Sequence, residues 1–145
     1  MVATTTELRY APSTVNGKPS LSALDSKGKR LLRGYALVYN QWSNELEFSG
    51  KPFVEMLLPG SAREAIKKPL VGIYAHQPAL ILARTPDTLR VWEDATGVAF
   101  EMDMPPTTLG NDIWELIARK VISGMSFSLG NAVSEWKKEN GQRKR

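Results

Sequence analysis

Covalent catalysis by a hydroxyl needs a base close enough to take its proton, because a free serine is almost fully protonated at neutral pH. His76, in the segment VGIYAHQP, is the only histidine of the chain. It follows an apolar run and precedes Gln77 and Pro78, which places it at a strand end, where a side chain can face a cleft. A lone histidine beside a strand more often serves as a structural or exposed residue, so position alone leaves both roles open. Among the serines, Ser126 is the best placed. In ISGMSFSLG, residues 122 to 130, it lies at a strand start after Gly124 and before Phe127. A glycine there lets the backbone turn sharply and brings amides near a developing oxyanion. In a regular strand Ser126 and Ser128 share one face and Met125, Phe127 and Leu129 the other, a pattern that a half-solvated strand shows equally well.

Other chemistries are narrowed by composition. The chain has no cysteine, hence no disulfide, no thiolate zinc site and no cysteine nucleophile. One histidine excludes a multi-histidine metal cluster, and no metal or cofactor is expected. The α/β-hydrolase arrangement is set aside, since GMSFS lacks the second glycine of a nucleophile elbow and no parallel-sheet pattern surrounds it.

The elements that must position these residues are mostly short strands. Glu7 to Tyr10 can open a strand, whereas Ala11 to Arg30, rich in Ser, Pro, Gly and Lys, predicts a long loop or flexible insert. Strands are predicted over 31–39, 53–58, 71–75, 80–84, 89–92, 98–104 and 125–133. In GVAFEMDMP, Val98, Phe100, Met102 and Met104 alternate with Ala99, Glu101 and Asp103, giving an apolar and a polar face. Ser61 and Glu64 have capping-box spacing, predicting a short helix to about Lys68. Leu109, Ile113, Leu116, Ile117 and Lys120 fall at helical spacing, predicting a helix over 109–120 with Asp112 in its first turn and Arg119 and Lys120 in its last. The whole predicts a mainly β fold with α, an antiparallel barrel or curled sheet with peripheral helices. The expected organisation is a partly flexible segment over 1–30, a barrel domain over 31–134 and a basic polar tail over 135–145.

The chain has 145 residues, 42% apolar and 23% charged, enough for one core. No run approaches the roughly 18 apolar residues that span a bilayer, so a soluble, intracellular protein with no membrane partner is expected. The net charge of +4 is concentrated at one end: residues 137 to 145, KKENGQRKR, hold five basic residues and one acid, which accounts for the whole excess. A balanced body with a basic end does not predict a nucleic-acid groove, and the tail is expected to be solvated.

The order YAHQP, then LARTPDTLRVWEDATGVAFEMDMPPTTLGND, then a helix and ISGMSFSLG, resembles the phage prohead maturation proteases related to that of phage HK97. Upstream, RGYALVYNQWSNEL and PFVEMLLPGSAREAI are similar to that family's opening strands and first helix. The resemblance runs from about Leu31 to Leu129. It implies an assemblin-like barrel, a serine endopeptidase activity, His76 as general base and Ser126 as nucleophile. It also implies the scaffold or the scaffolding segment of the major capsid protein as substrate, together with the protease itself, inside the prohead in the host bacterial cytoplasm. The family continues past the serine strand into further strands that are expected to bring a third catalytic group. The stop at Arg145 therefore predicts a shortened or self-processed chain, with a dyad as the other possibility. Glu101, Asp103 and Glu135 are in-chain substitutes for the third member, its position staying open, and self-association through exposed sheet edges is expected. Two other readings compete: a noncatalytic head assembly module binding capsid or scaffold protein, and a nucleic-acid-binding barrel using Trp42, Trp92 and Trp136 as stacking platforms.

Overall fold

The computed structural model describes residues 7–12, 14–129 and 133–145. It opens with β1 (Glu7–Tyr10), β2 (Thr14–Val15), β3 (Lys18–Pro19), β4 (Leu21–Ser26) and β5 (Lys29–Val38). Next come β6 (Leu46–Phe48), β7 (Lys51–Phe53), a single 3-10 turn over Ala65–Lys67, β8 (Val71–Ile73), β9 (Ile81–Arg84), β10 (Leu89–Glu93) and β11 (Gly97–Asp103). The helix α1 (Thr108–Ala118), β12 (Ser126–Leu129), β13 (Lys137–Glu139) and β14 (Gln142–Lys144) complete the order. The architecture is mainly β with one α-helix among the described residues.

One antiparallel sheet of four strands, in the order β10, β11, β5, β4, forms the frame. Its inner face carries the core of Leu21, Leu32, Leu89, Phe100 and Met102, over which Ile113 and Ile117 of α1 pack. Burial along β11 follows the alternation of its sequence, except that Ala99 is buried as well. Ala99 pairs with Tyr35 while its neighbour Val98 pairs with Leu37, so Ala36 is the extra residue of a bulge that bends the long β5. Two residues before this bulge, Gly34 admits the crossing of Ser20, whose carbonyl oxygen would lie 1.9 Å from any Cβ there.

The remaining strands form two-stranded ribbons, β1 with β12, β2 with β3, β6 with β7, β8 with β9 and β13 with β14. No closed barrel is formed among the described residues. These strands are two to four residues long, too short to supply the ladder that would seam a sheet shut.

Several sequence expectations are corrected. The predicted loop over Ala11 to Arg30 contains β2, β3 and β4, and β4 is an edge of the main sheet paired residue for residue with β5. The turns Asn16-Gly17, Lys27-Gly28, Ser49-Gly50 and Asn140-Gly141 have positive φ at both residues, the geometry of the tight hairpin whose twist matches its strands. The capping box at Ser61 and Glu64 does not form, since Glu64 makes no side-chain cap and only the 3-10 turn follows. The predicted strand over 53–58 pairs in β7 only to Phe53, continuing as single bridges at Val54 and Met56. The later helix begins at Thr108, with the Thr107 hydroxyl accepting from the Gly110 amide, and ends at Ala118. Asp112 therefore lies beyond its first turn, and Arg119 and Lys120 lie past its end. The last predicted strand, 125–133, is β12 over Ser126–Leu129; residues 130–132 lie outside the described residues.

The basic end is not a solvated tail. Strands β13 and β14 make a hairpin that docks on residues 54 to 56, with the Arg145 amide donating to the Val54 carbonyl at 2.9 Å and the Met56 amide to the Arg145 carbonyl at 2.9 Å. Trp136 packs against Phe53 with ring centroids 5.1 Å apart. The Arg145 guanidinium lies over the Phe53 ring at 4.9 Å and donates to the Glu55 carboxylate, with Nε 2.7 Å from Oε1.

Candidate active site

His76 sits in the turn that joins β8 to β9. The Tyr74 amide donates to the Leu80 carbonyl at 3.0 Å and the Gln77 amide to the Tyr74 carbonyl at 3.0 Å, so the turn is closed by its own backbone. Both Ala75 and His76 adopt positive φ, 51° and 54°, a left-handed conformation that L residues with a Cβ rarely take. That conformation turns His76 off the strand line. Ser126 opens β12 and lies opposite Tyr10 of β1, and the Ala11 amide donating to the Met125 carbonyl at 2.8 Å extends the ribbon by one bond past it.

The two turns converge: His76 Nε2 and Ser126 Oγ, fifty positions apart in sequence, are hydrogen-bonded to each other. The expected pair is thus brought together. Both residues line a cleft of about 730 Å3. It runs inward between the β8–β9 turn and the main sheet, past Ile73, Tyr74, Val91, Phe100, Ile117 and Ile122, and no Asp, Glu, Lys or Arg lines it. A smaller cleft of about 400 Å3 opens beside Phe127, lined by Tyr10, Trp42 and Glu55 among others.

The backbone at Gly124 does not use the conformation that only a glycine readily allows. Its φ is not left-handed, and a Cβ built on it would meet nothing within 4 Å. Gly124 lines the large cleft, so the missing side chain leaves room beside Ser126 instead of enabling a backbone bend.

The in-chain substitutes for a third catalytic member lie elsewhere. Glu101 and Asp103 stand on the outer face of β11 and belong to a salt-bridge cluster. Arg90 donates to Asp103 at 2.6 Å and to Glu101 at 2.8 Å, Lys29 reaches Asp103 at 2.8 Å, and Arg33 pairs with Glu101. The Arg90 hydrogen bond, aided by Lys29, holds the Asp103 carboxyl below its usual range against a raising effect of burial. Arg33 and then Arg90 do the same for Glu101. Glu135 is exposed. Among the described residues no carboxylate joins the His76 and Ser126 pair, and no group of three or more His, Cys, Asp or Glu could hold a metal ion.

Sequence reasoning missed the residues that hold β1, and hence β12, in place. Arg9 is buried and pairs with Glu55, which also binds Arg145 at 2.5 Å, with the side chains of all three 10% exposed or less. Separations of 46 and 90 positions leave no local signal for this trio. Of the three tryptophans named as stacking platforms, all partly exposed, two carry a cation over the ring. Arg143 lies over the Trp136 ring at 4.8 Å and Lys144 over Trp42 at 4.9 Å, while Trp92 is on β10, in the main sheet.

A hydroxyl hydrogen-bonded to an imidazole at the mouth of a cleft is the arrangement by which serine hydrolases transfer acyl groups. The family model for caudovirus prohead serine proteases matches residues 19–145, and the chain belongs to that family. Comparison with curated proteins and with solved structures finds no match.

Proposed function

We propose that this protein is the serine endopeptidase of phage head maturation, with Ser126 as nucleophile and His76 as general base. The observation that carries the assignment is the hydrogen bond between Ser126 Oγ and His76 Nε2 across fifty residues, in a chain of a serine protease family. In the reactive tautomer His76 carries its proton on Nδ1 and accepts from the hydroxyl at Nε2. As Oγ attacks a peptide carbonyl, Nε2 takes its proton. It then delivers that proton to the leaving amine as the C–N bond breaks, leaving an acyl ester on Ser126. Water, deprotonated by the same nitrogen, hydrolyses the ester and restores the hydroxyl.

The substrates in this proposal are scaffold protein or the scaffolding segment of the major capsid protein, and the protease itself, cleaved inside the prohead in the host cytoplasm. Self-association belongs to the same proposal, since the two-stranded ribbons leave strand edges that a second copy could pair with. A single monomeric species in sedimentation at high concentration would remove that part.

The test is incubation with the cognate capsid precursor, followed by mass spectrometry. Ser126→Ala and His76→Ala should each lower cleavage by about three orders of magnitude or more while leaving the circular dichroism spectrum unchanged. Cleavage that survives Ser126→Ala would assign the nucleophile elsewhere.

A further inference from the structure

The side chain that precedes a scissile bond is attached to the carbon next to the attacked carbonyl, so it must occupy whatever space adjoins the nucleophile. Here that space is the large cleft. Its volume of about 730 Å3 is in the range of pockets that enclose whole small ligands, about 300 to 1,000 Å3, and exceeds what one aromatic side chain needs. The residues nearest in sequence to the reacting pair set its character: Ile73 and Tyr74 lead into His76, and Ile122 and Met125 into Ser126, and all four line it. Deeper, it reaches the inner face of the main sheet, where Phe100 is 2% exposed and Met102 4%. The bulge at Ala36 and the absence of a side chain at Gly72 border the same space.

We propose that this cleft is the subsite for the residue preceding the scissile bond, and that it selects substrates carrying a large, uncharged apolar side chain there. The proposal rests on the peptidase assignment of Ser126 and deepens it. A leucine, phenylalanine or methionine entering the cleft exchanges water for the apolar walls. A lysine, arginine, aspartate or glutamate would be stripped of water against walls that carry no opposite charge. A small residue would leave much of the apolar lining wet.

The experiment uses a peptide series identical except at that one position, with Leu, Phe, Ala, Lys and Asp. Cleavage by the full chain is measured as kcat/KM. Separately, product-like peptides ending at the variable residue are titrated calorimetrically into the Ser126→Ala protein, which reads the subsite without catalysis. Leu and Phe are expected to exceed Lys, Asp and Ala by at least about tenfold in both series. An equal or reversed order in the titrations overturns the subsite, whatever is cleaved. The expected order in binding together with no cleavage of any peptide overturns the peptidase assignment, and with it the scissile-bond role, leaving the cleft as an apolar peptide-binding site only.

Discussion

Replacing Glu55 by Gln tests whether the buried charge trio holds the ribbon that carries Ser126 in place. The Glu55 carboxylate is 6% exposed and accepts from Arg9 on one oxygen and from Arg145 at 2.7 and 2.5 Å on the other. An amide keeps one acceptor oxygen but carries no charge and points N–H at a guanidinium, in a site of little solvent. Removing one partner of a buried pair costs about 3 to 5 kcal/mol, against a total stability of about 5 to 15 kcal/mol for a domain. The melting temperature should accordingly fall by about 10 °C. Glu64→Gln is the matched control, because Glu64 and Lys67 pair at 2.7 Å with 80% and 64% of their side chains exposed, where the loss should be about 0.5 kcal/mol or less. Urea unfolding followed by tryptophan fluorescence reads both variants. A loss at Glu55 no larger than that at Glu64 would refute the account of the trio as a structural anchor.

Ala75→Gly should raise stability by about 0.5 kcal/mol, since the left-handed conformation costs alanine about 1 to 2 kcal/mol and the extra freedom of the unfolded glycine returns part of it. It should also lower kcat by loosening His76, and a lower melting temperature would contradict the strain at this turn. Gly124→Ala, at a position with open space and no left-handed φ, should stabilise by about 0.4 to 1 kcal/mol yet reduce peptide cleavage, because the methyl enters the cleft beside Ser126; unchanged kcat/KM would show that substrate does not pass there. Arg90→Met should cost about 1 kcal/mol at neutral pH. Asp103 has its folded pKa depressed first by Arg90 and Glu101 by Arg33 and then Arg90, so their stabilisation is complete above the unfolded values near 4 and lost as pH falls through the folded ones. The gap between wild type and variant should therefore narrow below about pH 4, and a gap constant from pH 7 to pH 2 would contradict it.

The candidate pair was legible in part because its residue types are scarce. One histidine in the chain and a serine after a glycine at a predicted strand start made His76 and Ser126 candidates, but position left their roles open, and it was the resemblance to the prohead proteases that paired them before any geometry. The core face of β11 was legible for a similar reason, its alternation being the direct imprint of a strand with one buried side. Strand β4 was missed because LSALDS is an edge strand whose residues are mostly half-buried or exposed, so it carries no apolar signature. The signal that could have found it was the pair of tight-turn dipeptides on either side, Asn16-Gly17 and Lys27-Gly28. The basic end misled in the opposite sense. Its charges looked solvated, but Arg145 finds Glu55 and two aromatic rings, partners that no local window contains. The barrel expected from the resemblance needed strands long enough to close, and these hairpins are not.

Ser126 and His76 stand on separate two-stranded ribbons, and among the described residues no backbone hydrogen bond joins one ribbon to the other. The pair is thus an assembly joint held by packing, and small rearrangements that leave every ladder intact would part the two side chains. Cleavage should therefore fail at lower temperature or denaturant concentration than the main sheet does, as local opening precedes global unfolding. Conversely, whatever presses the ribbons together, a bound peptide included, would tighten the pair, so that any turnover would report on how firmly the surroundings clamp the two ribbons.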